Sequence, residues 1–98
     1  MDIATIAKKT EPIFRKNHVS YAAVFGSRAR GDNRSDSDVD FVVHLAQDAT
    51  LLTLARVQRE LSESLKLPVD VVTERSIRPQ LRSVISKELK IIYDEEKY

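Results

Sequence analysis

The chain of 98 residues contains no cysteine. Neither a disulfide framework nor a thiolate metal site can therefore be built. It also lacks any apolar run of about 18 or more residues, and its start carries no charged-then-apolar leader. A soluble, cytoplasmic protein without membrane contact is the expectation. Neither sign of charge is in excess, since 16 Lys+Arg stand against 15 Asp+Glu. That balance argues against a general polyanion binder, and no direct nucleic-acid binding is expected. Aromatic residues make up only 6% of the chain, and Tyr21, Tyr93 and Tyr98 are too scattered to form a base-stacking platform. Internal repeats, low-complexity tracts and Pro/Gly/Ser linkers are missing as well. Residues 1–98 are accordingly expected to form a single domain around one core.

What is present is ordinary for a globular chain, 42% hydrophobic and 32% charged. Ile3, Ile6, Ala7, Ile13 and Phe14 recur at helical spacing and predict a first helix ending near Asn17. The apolar run Val19–Phe25, closed by Gly26, predicts a buried strand. Asp40–Leu45 predicts a second strand. Leu51, Leu54, Leu61 and Leu65 mark a helix, with Asp48 or Thr50 as N-cap and Pro68 as its stop. Val69–Val72 reads as a third strand. Ser76 is placed as the cap of a helix carrying Ile77, Leu81, Val84 and Ile85. Leu89–Tyr93 reads as a last short strand before a solvated acidic tail. Short strands alternating with helices imply one sheet with helices on one or both faces.

The unusual stretch is VFGSRARGDNRSDSDVDFVV, Val24 to Val43. Three aspartates, Asp36, Asp38 and Asp40, stand at alternate positions leading into the second strand. Alternation puts Asp38 and Asp40 on one side, about 6.6 Å apart along the chain. Two carboxylates so placed can converge on a divalent cation, or on two about 3.5–4 Å apart. All-oxygen ligands suit Mg²⁺ or Mn²⁺. Without a metal they raise one another's pKa. The same letters also suit a solvated loop at the start of a strand. Upstream, Gly26 lets the backbone approach a ligand closely, and Ser27 offers a hydroxyl and a backbone N–H. Arg28 and Arg30 can add charge-assisted bonds to phosphate. Surface arginines beside a turn glycine are the plainer reading. Asp70 interrupts the apolar run LPVDVV, where a buried unpaired charge is costly, which favours a functional role over an edge-strand carboxylate facing water.

Together, Gly26-Ser27 followed ten residues later by Asp38-Val39-Asp40 closely resembles the G-S-x₁₀-D-x-D signature of the DNA polymerase β-like nucleotidyltransferases. The resemblance covers nearly the whole chain, with Asp70 at the place of that superfamily's third carboxylate. It is similar to the minimal nucleotidyltransferases, and this implies an α+β fold in two layers, a mixed sheet with helices in the polymerase β palm arrangement. The resemblance further implies that Gly26, Ser27, Arg28 and Arg30 hold the triphosphate of ATP. Asp38, Asp40 and Asp70 would be catalytic and would ligand two Mg²⁺ ions, with Asp70 helping to deprotonate the acceptor hydroxyl. Minimal nucleotidyltransferases pair with helical HEPN toxins, so the implied activity is AMP transfer to a tyrosine of such a partner in a hetero-oligomer, as an antitoxin. A nucleotide-binding antitoxin acting by complex formation alone, and an aminoglycoside-type small-molecule transferase, are the alternatives. Asp36 is expected in the loop or supporting the site from behind. His18 and His44 are expected to be structural. Arg75, Arg78 and Arg82 read as a solvated face, with a nucleotide or acidic-partner contact as the alternative.

Overall fold

The computed structural model describes residues 1–97. Its elements are α1 (Ile3–Lys16), β1 (Val19–Phe25), α2 (Ser27–Arg30), β2 (Val39–Leu45), α3 (Leu51–Leu65), β3 (Val69–Thr73), α4 (Pro79–Glu88) and β4 (Lys90–Asp94). The strands form one mixed sheet in the order β3-β2-β1-β4. β1 runs antiparallel to both β2 and β4, while β2 and β3 are parallel and joined through α3. This is the α+β arrangement expected of the chain. Tyr98 lies outside the described residues.

The alternation within the strands decides where the core sits. Val39, Phe41 and Val43 of β2, with Val69 and Val71 of β3 and Ala22 and Val24 of β1, turn to one face. There they meet Ile6 and Phe14 of α1 and Val57, Leu61 and Leu65 of α3, and all are buried. Helices α1 and α3 also pack against each other. Phe14 lies at the centre, edge-on to Phe41 with ring centroids 6.0 Å apart and 5.6 Å from Tyr93. Asn17 closes α1 and donates from its side chain to Ile13 O and Glu60 Oε1 at 2.9 Å, tying α1 to α3, beside an ion pair of Lys16 with Glu60.

The opposite face carries Tyr21, Ala23 and Phe25 of β1, Asp40, Val42 and His44 of β2, and Asp70 and Val72 of β3. Helix α4 lies over only part of it and leaves a cavity of about 510 Å³, lined by Tyr21, Val42, His44, Ile77, Ile85 and Leu89 among others. None of the residues Pro79–Glu88 is buried.

One expected boundary moves. Ser76 does not cap α4; its hydroxyl donates to Thr73 O at 2.8 Å and closes a 3₁₀ turn over Glu74–Ser76. The helix begins at Pro79, whose missing N–H costs nothing at a first helical position. Arg78, the residue before proline, is held extended at φ −61°, ψ 137° and becomes the N-cap. Thr50, not Asp48, caps α3, its N–H donating to the Thr53 hydroxyl at 3.3 Å. Arg75, Arg78 and Arg82 are exposed, as a solvated face requires.

Candidate active site

β1 ends at Phe25, which pairs with Asp40 across the antiparallel ladder. The next residue, Gly26, takes φ 76° and ψ −155°, a backbone region open essentially to glycine alone. That turn drops the chain onto the neighbouring strand. The conformation demands glycine, and a Cβ built there would stand 2.4 Å from Asp40 Oδ2 and displace that carboxylate. Ser27 opens the short helix α2, half-buried.

The aspartates converge from two strands. Asp40 is the register partner of Asp70 in the parallel β2–β3 pair, with both side chains on the face away from α1 and α3. Asp38, one residue before β2, is exposed near them. Burial, and after it the negative charges of Asp70, Asp38 and Glu88, push the Asp40 carboxyl above its usual range, while Arg30 pulls the other way. Asp36 lies exposed in the loop and takes no part in that field. Asp70, expected to be buried, is exposed on an edge strand, because α4 leaves this corner of the sheet open. Lack of desolvation, then, and not its cost, marks this carboxylate.

The two arginines of the motif part company. Arg30 is exposed, donating from Nε to Asp32 Oδ2 and from Nη1 to Glu88 Oε2, each at 3.1 Å. Arg28 is only 5% exposed. Its guanidinium donates to Ser35 O at 3.1 Å and to Ser37 O at 3.0 and 3.3 Å, bracing the loop that delivers Asp38. It faces that loop's carbonyls.

Glu88 was not singled out from the sequence. It sits in the last turn of α4, where a negative charge opposes the helix dipole, and this misplaced charge is the one signal that could have found it. Its Oε1 accepts the Gly26 N–H at 3.2 Å. At the far end of the same face, His44 stacks on Tyr21 with ring centroids 4.5 Å apart and pairs with Glu74, a structural arrangement.

No three or more His, Asp or Glu side chains among the described residues are gathered as a finished metal cage. The donor set is nonetheless all oxygen, and the carboxylates of Asp70, Asp38 and Glu88 stand near Asp40 with Arg30 as the opposing cation. It fits a hard divalent cation of the Mg²⁺ type, held by one or two carboxylates and completed by phosphate and water oxygens.

The sequence profile of the polymerase beta nucleotidyltransferase family matches residues 8–98. The chain belongs to that family. A candidate protein adenylyltransferase of Methanocaldococcus jannaschii is 41% identical over 88 residues, spanning 90% of this chain and 95% of the relative. A solved candidate minimal nucleotidyltransferase superposes with a TM-score of 0.79 at 34% identity, covering 92% of this chain and 95% of that one. A Shewanella oneidensis complex of a tri-AMPylated HEPN toxin with an MNT antitoxin gives a TM-score of 0.72 at 20% identity, over 97% of this chain and 75% of that one, a likeness of fold alone. No helix among the described residues is long and apolar enough to cross a membrane.

Proposed function

We propose that this chain, acting as one domain, transfers AMP from ATP to a protein hydroxyl, a tyrosine of a helical HEPN-type partner, and so serves as the antitoxin of a pair. The observation that carries the reading is the pairing of Asp40 with Asp70 across two parallel strands, directly beneath the glycine turn. The name of the archaeal relative and the AMPylated toxin in the structurally similar complex support the choice of nucleotide and acceptor.

Each residue then has a task. Gly26 and Ser27 bind the β- and γ-phosphates through backbone N–H groups and the hydroxyl, and Arg30 adds a charge-assisted bond. Asp38, Asp40 and Asp70 would hold Mg²⁺, which when bound neutralises the polyphosphate and acidifies an acceptor hydroxyl. Asp70, exposed on the edge strand β3, is open to an incoming acceptor, and it orients the hydroxyl and receives its proton. The acceptor oxygen forms a bond to the α-phosphorus as the bond to pyrophosphate breaks in line. Arg28 keeps the loop before β2 in place, and Arg30 stays beside the departing pyrophosphate.

The test uses labelled ATP, Mg²⁺ and the purified HEPN partner, read by mass spectrometry. The partner is expected to gain one or more AMP units. Asp38→Asn/Asp40→Asn is expected to cut the rate by about a hundredfold or more, the scale of a lost transition-state stabiliser. An unmodified partner defeats the proposal. Toxin neutralisation that survives the double substitution points instead to inhibition by complex formation.

A further inference from the structure

Two of the three groups assigned to the polyphosphate, Gly26 and Arg30, already hold an anion, and that anion belongs to the chain itself. Glu88 reaches from the last turn of α4 with one carboxylate oxygen on the Gly26 N–H and the other on Arg30 Nη1, at 3.2 and 3.1 Å. Its side chain is only 18% exposed. The contact lies beside Asp40 and Asp70, so a fourth carboxylate has been added where three already repel one another. Such a placement makes electrostatic sense only if Gly26 and Arg30 form an anion site strong enough to overcome it. We propose that Glu88 is a tethered competitor for the nucleotide's polyphosphate, leaving Gly26 and Arg30 when a triphosphate enters and returning to them as pyrophosphate departs.

The mobility this demands is available in α4. None of its residues is buried, Leu81 and Val84 remain 48% and 56% exposed, and a cavity of about 510 Å³ separates the helix from the sheet. No residue of α4 belongs to the core, which lies on the opposite face of the sheet under α1 and α3, so the Glu88 side chain can leave its partners without opening it. Glu88 thereby sets specificity by position. It competes only with ligand groups that reach Gly26 and Arg30, so a triphosphate meets it and a monophosphate held at the aspartates does not.

The inference rests on the nucleotide reading above, and the experiment separates the two. Binding of the non-hydrolysable ATP analogue AMP-PNP, of tripolyphosphate and of AMP, each with Mg²⁺, is measured by calorimetry on the wild type, Glu88→Gln and Glu88→Ala. Both substitutions lie on an exposed helix, and circular dichroism verifies that each variant is folded. AMP-PNP and tripolyphosphate are expected to bind about tenfold tighter to the variants, the scale of one displaced charge-assisted contact, with AMP unchanged. In the wild type, AMP-PNP is expected to speed hydrogen exchange at residues 79–88. AMP-PNP that binds the wild type as well as or better than the variants overturns the competitor and makes Glu88 a positioning residue for Arg30. An equal gain for AMP also overturns it, since the effect is then general charge relief. If AMP-PNP binds none of the three proteins, the nucleotide reading itself fails and the competitor falls with it.

Discussion

Asp40 is half-buried on β2, with Asp70, Asp38 and Glu88 adding negative potential and Arg30 the nearby cation. Its carboxyl is raised, so the folded protein binds that proton more tightly than the unfolded chain does. As pH climbs from the usual carboxylate range through the raised value, the folded state loses stability, and the penalty persists at neutrality. Asp40→Asn removes the penalty. In EDTA near neutral pH this variant is expected to melt above the wild type by a few degrees at most, because water still reaches the group. Scanning calorimetry should show the gap close on the acid side and narrow when Mg²⁺ is added. A wild type that melts higher than the variant in EDTA contradicts this account. Asp38 and Asp40 were legible in the sequence because alternation places them on one side, and Asp70 because it interrupts the apolar run LPVDVV. Glu88 was not, for its partners Gly26 and Arg30 are far along the chain, and the only local sign was a negative charge in a helix's last turn.

Among the elements, the loop between α2 and β2 depends on one buried side chain. Arg28 ties Ser35 and Ser37 to the start of the loop, and all its bonds go to backbone carbonyls. Arg28→Ala is expected to cost about 2–3 kcal/mol by denaturant titration and to accelerate hydrogen exchange over residues 32–39. Arg28→Lys should not restore either, because an ammonium cannot reproduce the guanidinium fork. The sequence offered a phosphate contact or a surface position for this residue, and its burial was not legible because its partners Ser35 and Ser37 are brought to it only by the fold of the loop. Strands β1 to β4 and helices α1 and α3 were readable from apolar period and stop residues such as Pro68. The start of α4 was misplaced because Ser76 is a good cap by type. Pro79, three residues on, fixes the helix start more strongly than any hydroxyl can.

For the molecule as a whole, stability and chemistry occupy opposite faces of one sheet. Phe14 is fully buried between Phe41 and Tyr93, on the face remote from the aspartates. Phe14→Ala is expected to cost about 3–5 kcal/mol, read as a lower denaturant midpoint with an unchanged slope. A changed slope would mean that the two layers do not unfold together. The parallel pairing of β2 with β3 carries a last consequence, concerning which changes of length the chain can survive. Asp40 faces Asp70 because residues on both strands keep step, Val39 with Val69 through Val43 with Thr73. One residue added or removed inside β3 before Asp70 turns that carboxylate toward Leu61 and Leu65 and sends a valine to the open face. Two residues restore the facing but carry it one step along the ladder. Length variation within this strand is therefore filtered by parity: odd changes strike the core and the site at once, while even ones spare the core and only misalign the pair.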